Sequence, residues 1–516
     1  MIPFRRMSVS PYTLSSAPSA KSTMGKADMK YNQQRKRTGK SERRVSTSLF
    51  ERIQPDAAGV DCGQKSHFVA VPPERDPEPI REFRTFTADL QRLAQWLAQC
   101  GVKTVAMEST GVYWIPLYEI LEQRGFEVVL VNARDVHNVR GRKSDVKDCE
   151  WLQQLHSVGL LRASFRPAAA MVPLRSYLRQ RAILVEELTA RIQRMQKALT
   201  EMNLMLHIVV SDITGVTGLK ILHAILAGAR DPQRLAVHRD GRCHASHQEL
   251  VAALTGNYRE EHLFSLRQNF TAYQFHLKQI AECDTEIEAL LNTLAAQQPP
   301  PSAALPTPRA KPTKKHAPAF DIRTPLHMLT SGADLSQIHS IGPHAALQLI
   351  AEIGTDMSRW PTEHHFASWT TLAPNNKISG GRLLSSRTPP SANRAAAILR
   401  RCAMSLGRTS TALGAFYRRL AVRIGKAKAI TATARKLALL VYRALSGKLT
   451  YLDPGATTYL KLNRARELKS LRKRAKLLGF ELVDRSSGEV LLNPVSQEEP
   501  QASPRVHFWL ALHEGR

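Results

Sequence analysis

Four carboxylates in the first third of the chain have residue types and spacings suited to metal chemistry. Asp61 ends a short apolar run, Ala57-Ala-Gly-Val-Asp61, and is followed by Cys62-Gly63. Glu108 closes a second apolar run, Val102 to Met107, and leads into Ser109-Thr110-Gly111. Asp145 and Asp148 lie in Arg142-Lys-Ser-Asp-Val-Lys-Asp-Cys149, three residues apart, which puts them on one face of a helix. Acids at the ends of two neighbouring strands, faced by a helix with two more, form an all-oxygen cage, which suits Mg²⁺ or Mn²⁺. Two such ions ~4 Å apart would stabilise both the attacking and the leaving oxygen of a phosphodiester displacement.

The elements that must position these acids are legible around them. Ala57–Asp61 and His67–Val71 read as strands joined by a tight turn at Gly63, and Arg81–Phe86 as a third strand. Ala88–Gln99 has helical apolar spacing, Val102–Met107 reads as a buried strand, Trp114–Arg124 as a helix and Phe126–Val131 as another strand. The order β-β-β-α-β-α-β-α, antiparallel strands followed by crossovers, matches the ribonuclease-H-like fold, an α/β architecture. In that topology the first and fourth strands are neighbours, so Asp61 and Glu108 meet.

Composition narrows the partner. In 516 residues Lys and Arg outnumber Asp and Glu by 73 to 44, a formal net charge of +29, which favours a polyanion, most simply nucleic acid. The length calls for more than one domain. Six scattered cysteines without a CxxC pair argue against a disulfide framework or zinc ribbon, and Cys243-His244 with His247 lacks zinc spacing. There is no apolar run near the ~20 residues of a membrane span, no signal-peptide core, and no GxxxxGK[ST] loop for nucleotide-driven chemistry. A cytoplasmic protein associated with the nucleoid is expected. Residues 1–50, rich in Ser, Lys and Arg, read as a disordered basic arm.

Downstream the pattern turns helical. Val185, Leu188, Ile192, Met195, Leu199, Met202 and Leu206 form a heptad seam. A second runs Leu266, Phe270, Tyr273, Leu277, Ile280, skips Asp284, and resumes at Ile287, Leu291 and Leu294. The two could pair as an antiparallel coiled-coil hairpin, dock two protomers together, or be ordinary amphipathic helices. Residues 297–320 form a proline-rich basic linker. Ile338-His-Ser-Ile-Gly-Pro-His-Ala345 is similar to a helix-hairpin-helix turn, where backbone N–H groups at Gly342 and the helix start can hold a DNA phosphate. Leu372 to Arg382 reads as a polar loop. Ser391 then caps a helix with Ala395, Ile398, Leu399, Cys402 and Leu406 on one stripe and Arg394, Arg400, Arg401 and Arg408 outside it. Helices follow over Phe416–Ser446, interrupted near Gly425, and over Leu462–Leu478, both basic.

These residues together resemble the DEDD-type insertion-sequence transposases, a family that includes pilin-gene invertases and bridge-RNA-guided recombinases. The resemblance spans roughly 57–450. It rests on Gly-Val-Asp61, Glu108-Ser-Thr-Gly, Lys-Ser-Asp145 with Asp148, Ile-Gly-Pro at 341–343, Leu-Ala-Pro at 372–374 with Ser379-Gly, and Ala434-Arg-Lys-Leu. It implies a RuvC-like (Holliday-junction-resolvase-like) domain over 57–165 carrying the four acids, a coiled-coil region with an insert over 171–296, and a mainly helical transposase domain over 330–450, followed by a basic helix and tail over 451–516. It also implies that Ser379 attacks a DNA phosphate to form a covalent phosphoserine link, with the metal site completing the centre. An element-encoded RNA would choose donor and target, and the protein would work as a dimer or tetramer. Ser385 and Ser386 are nearby alternatives to Ser379, and Arg382, Arg394, Arg400 and Arg401 are the expected backbone contacts. Two other classes stay open on the residues alone: a metal-dependent junction-resolving endonuclease, which needs the acids but not Ser379, and a non-catalytic nucleic-acid-binding protein.

Overall fold

The computed structural model describes residues 51–109, 111–132, 145–309, 316–449 and 451–483. The basic arm, the Arg142–Ser144 part of the third acidic motif and the tail from Asp484 lie outside them. The chain divides into two compact units, 1–165 and 166–516.

The first unit is a mixed sheet with helices on both faces. In chain order it runs β1 (Ala57–Cys62), β2 (Ser66–Ala70), β3 (Ile80–Arg84), α1 (Thr87–Gln99), β4 (Thr104–Glu108), α2 (Trp114–Gln123), β5 (Glu127–Val131) and α3 (Asp145–Ser157), the expected alternation. The strand order is β3-β2-β1-β4-β5. The first three strands are antiparallel, and β4 and β5 run parallel to β1. Because strand side chains alternate, β1 and β4 feed two cores. Ala58, Val60, Cys62, Val105 and Met107 pack with Leu90, Leu93 and Leu97 of α1 and Leu117 and Leu121 of α2. On the opposite face Ala106 and Val131 meet Leu152 of α3. Asp61 and Glu108 share the parity of Ala57, Gly59 and Ala106, so they belong to the α3 face.

The second unit is largely helical. Its frame is the pair α4 (Met171–Glu201) and α9 (Glu260–Ala296). Cross-contacts at Arg181–Asp284, Glu187–His276 and Glu201–His262 make the pair antiparallel. Leu188, Met195, Leu199 and Met202 bury against Leu266, Phe270, Tyr273 and Ile280. The second seam departs from its expected path in one turn. Leu277 is 42% exposed, while His276 is buried in its place, its Nδ1 near Gln279 Oε1 and Glu187. The skip at Asp284 has a physical cause, since that carboxylate ion-pairs with the buried Arg181 guanidinium across the helix pair. Short helices α5 (Leu206–Val209), α6 (Val216–Leu226), α7 (Pro232–Ala236) and α8 (His247–Leu254) close one end of the frame and join its core.

Then follow α10 (Arg323–Leu329), α11 (Pro343–Ile353), α12 (Glu363–Trp369), the hairpin β6 (Lys377–Ser379) and β7 (Arg382–Ser385), α13 (Arg394–Ser405), α14 (Ala412–Ile424), α15 (Lys426–Leu445) and α16 (Gly455–Leu477). The break at Gly425 lies where expected, with φ at +86°. Helix α11 packs on both α4 and α13, and Arg179 of α4 grips Glu352 of α11 through two hydrogen bonds of 2.8 and 2.6 Å. The described parts of the proline-rich stretch are also tied down. Arg323 donates to the Pro306 carbonyl, Gln337 to Thr307 and Arg181 to His316. Among the described residues, no helix is long and apolar enough to cross a membrane.

Candidate active site

Asp61 and Glu108 sit side by side. The register of the parallel pair β1–β4 aligns Val60 with Met107, and the two acids follow one step on, at the carboxyl ends of adjacent strands, where strands run about 4.8 Å apart. Glu108 is buried and Asp61 half-buried. Their charges reach the neighbouring thiols. Cys62 is pushed well above the usual thiol range by burial and by Asp61 and Glu108, and Cys149, on α3, is pushed up to about 12 by burial and by Asp61. The Asp61 charge is therefore felt on the helix that covers the strands.

Helix α3 is held on the sheet at three heights. A Cβ at Gly59 would lie 2.3 Å from the Gln153 nitrogen and 2.4 Å from the Cys149 carbonyl oxygen, so only glycine lets the helix backbone come this close. Gln153 Nε2 donates to the Ala57 carbonyl at 3.2 Å. His156 Nε2 and Thr104 Oγ pair at 2.8 Å across to β4. Burial pulls the His156 pKa down to about 4, so the imidazole is neutral and serves as a structural tie. Half-buried Asp148 immediately precedes Cys149, and Asp145 is the first residue of the helix, one turn earlier. The side chain of Asp145 lies outside the described set. Among the described residues, no group of three or more His, Cys, Asp or Glu side chains forms a metal-holding cluster. Asp61 and Glu108 thus come together on neighbouring strands, with Asp148 on the helix packed over the same face. All three are carboxylates, whose hard oxygens are the kind a divalent cation such as Mg²⁺ would take.

Ser379 lies in the second unit. Where a polar loop is expected, the chain forms the β6–β7 hairpin, with Ser379 paired to Arg382. Gly380 and Gly381 have φ of +54° and +73°, the all-positive pattern of a type I′ turn, which two glycines adopt without strain. Ser379 and Arg382 are both exposed. Gly342 is the N-cap of α11 in extended conformation, with Pro343 at the first helical position.

The cap of α13 is Asn393, not Ser391. Asn393 Oδ1 accepts from the Ala396 amide at 2.9 Å, while Ser391 Oγ accepts from the Asn393 amide. Arg394 opens α13 and is exposed, and Arg401 donates to Gln348 of α11 at 3.2 Å. Arg400 is half-buried. The sequence reading missed the basic neighbourhood around Arg394. Burial and the charges of Arg179, Arg166 and Arg394 lower the Arg175 pKa, and Glu352 opposes them. Two of these arginines, Arg175 and Arg179, are four residues apart on α4, a spacing that was readable. It also missed the Gln153 tie to β1; Gly59 is part of the Gly-Val-Asp61 motif, and His156, expected to be a surface or packing residue rather than a ligand, is buried and pairs with Thr104.

Residues 58–204 match the model of the DEDD IS110 transposases, and residues 332–418 match the model described as Transposase IS116/IS110/IS902 family. No curated protein matches the chain. The first match covers the sheet with its acids and all of α4, and the second covers the Gly342 turn, the Ser379 hairpin and α13. The chain belongs to the IS110 family of DEDD transposases.

Proposed function

We propose that the protein cuts and rejoins DNA at the ends of an insertion sequence, using the Asp61, Glu108, Asp145 and Asp148 centre with Mg²⁺ or Mn²⁺, and Ser379 as the nucleophile. The observation that carries this reading is the placement of Asp61 and Glu108 on adjacent parallel strand ends, under a helix that Gly59 allows to approach. The strand order and the three antiparallel strands before the crossovers support a ribonuclease-H-like, RuvC-like unit.

Bound there, the divalent ions would supply Lewis acidity and neutralise charge on the phosphate. The chain's own parts divide the remaining work. The Ser379 Oγ–phosphorus bond forms as the bond from phosphorus to the leaving sugar oxygen breaks, and the hydroxyl proton ends on that oxygen; reversal onto a new sugar hydroxyl rejoins the strands. The I′ turn holds the serine on an exposed edge. Arg382, Arg394, Arg400 and Arg401 hold phosphate backbone, and the helix-hairpin-helix-like turn at Gly342 offers backbone amides to another phosphate. An element-encoded guide RNA that selects the sites fits the strong positive charge. The α4–α9 pair is read as an intramolecular coiled coil. Because its seams face each other within one chain, a dimer or tetramer would assemble through other surfaces. Action on DNA places the protein with the nucleoid.

The junction-resolving endonuclease remains the second reading, since acids and serine lie in separate compact units and the acids alone suffice for hydrolysis. The test uses element-end DNA and Mg²⁺. Asp61→Asn and Glu108→Gln should each abolish cleavage while DNA binding persists. Retained cleavage in both variants would remove the acidic centre from the mechanism.

A further inference from the structure

Helix α16 lies beyond both family matches, and its charge is unusual. From Gly455 to Leu477 it carries Lys461, Arg464, Arg466, Lys469, Arg472, Lys473, Arg474 and Lys476 against a single acid, Glu467. Its first turns are anchored. Tyr459 is buried against Phe416 of α14 with Arg419 over its ring, the Ala456 amide donates to Ser410, and Arg419 lies 3.7 Å from Glu467. Tyr459 is the one buried residue of the helix. Beyond Glu467, none of the cations at 469, 472, 473, 474 and 476 has an ion-pair or hydrogen-bond partner among the described residues. Lys469, Lys473, Arg472 and Lys476 instead stand three or four residues from one another, the spacing at which like charges repel along a helix. A polar helix without a second face to pack normally needs a partner.

The cations are also ordered. Lys461, Lys469, Arg472 and Lys476 are separated by 8, 3 and 4 residues, steps that return to one side of a 3.6-residue helix, and Lys473 flanks them. At 1.5 Å per residue this stripe runs roughly 22 Å, a length over which duplex DNA presents about a dozen phosphates.

We infer that the distal half of α16 docks along the phosphate backbone of duplex DNA, as a second contact surface separate from the Ser379–Arg401 region. The inference rests on the DNA partner of the proposed transposase, and the match of an unpaired cationic stripe to a polyanion selects that occupant. The contact is sequence-independent and sets affinity and orientation rather than cleavage site.

Salt dependence tests it. The full-length chain is titrated with a fluorescent DNA duplex and, separately, with a hairpin RNA of equal length, over a series of salt concentrations. A variant carrying Lys469→Gln, Arg472→Gln, Lys473→Gln and Lys476→Gln keeps helix propensity and the Tyr459 anchor. A control variant carries Lys197→Gln, Lys220→Gln, Arg234→Gln and Lys278→Gln, which remove the same charge elsewhere. With all four α16 cations on phosphates, the log–log salt slope for duplex DNA falls in magnitude by about 3 to 4 in the variant, because each phosphate contact formed by the wild type releases ~0.9 counterion. The control should move it by less than one. An unchanged slope in the α16 variant, an equal change in the control, or a change on RNA alone would overturn the inference. A wild-type chain with no salt-dependent duplex binding would overturn the transposase reading as well, so the two failures are distinguishable.

Discussion

Replacing Gly59 by alanine tests whether the approach of α3 to β1 builds the acidic centre. The new Cβ would sit 2.4 Å from the Cys149 carbonyl oxygen and 2.3 Å from the Gln153 nitrogen, both backbone atoms that cannot rotate away. Restoring the 3.4 Å of ordinary contact requires the helix to lift by about 1 Å. Overpacking of this kind costs about 1–3 kcal/mol, so the first unit should remain folded but less stable. The larger effect is on chemistry. Asp145 and Asp148 ride on α3, whereas Asp61 and Glu108 stay on the strands. A shift of ~1 Å between groups that must act together can cost ~100-fold in rate. Gly59→Ala should therefore reduce Mg²⁺-dependent cleavage of element-end DNA by roughly two orders of magnitude, with DNA affinity kept and apparent metal affinity weakened. Wild-type cleavage at wild-type metal concentration, in a variant whose melting temperature has dropped, would show that the helix position does not set the site.

Other perturbations follow from the same geometry. Asp284→Ala leaves the buried Arg181 guanidinium without its carboxylate and should cost about 3–5 kcal/mol in denaturant unfolding, whereas Arg181→Met with Asp284→Leu should recover most of that loss. Burial holds His156 and His67 down to about 4, below the ordinary 6.5, so the unfolded chain binds more protons between those values. Stability should thus be full above pH 6.5 and fall as pH drops toward 4, and His156→Gln should flatten the slope of melting temperature over that window. Gly381→Val forces a β-branched residue to a φ of +73° and should loosen the Ser379 hairpin, lowering DNA cleavage while the melting temperature barely moves, because the hairpin is exposed. Equal cleavage by Gly381→Val would argue that the turn does not orient the serine.

The alternating apolar runs made the first unit readable. Ala57–Asp61 and Val102–Met107 are short and bounded, and the expected topology, three antiparallel strands followed by crossovers, set the first and fourth strands side by side, as the β1–β4 pairing does. The acids were readable for the same reason, since each ends such a run. What the sequence did not disclose was contact across the fold. Nothing local to Gln153 or His156 announces a partner on Ala57 or Thr104, roughly 50 to 100 residues away. The seam lost its phase at Leu277 because His276 is buried there instead, its Nδ1 beside Gln279 Oε1 and Glu187, and periodicity alone does not tell which residue of a turn meets the other helix. Ser391 and Asn393 both have cap chemistry. The choice fell to Asn393 because its carbonyl oxygen reaches the Ala396 amide, while Ser391 is spent on the turn before it. The Ser379 hairpin hid behind two glycines, which mark a turn but carry no apolar alternation to mark its strands.

The central claim is that the acidic centre and Ser379 together break a DNA strand through a covalent protein–DNA link. The most direct measurement is to incubate the protein with element-end DNA and Mg²⁺, denature, digest, and map any nucleotide-bearing peptide by mass spectrometry. The account predicts a phosphodiester-linked peptide containing Ser379, absent in Ser379→Ala and absent in Asp61→Asn. An adduct on Ser385 or Ser386 that survives Ser379→Ala, or cleaved DNA with no adduct on any serine, would contradict it.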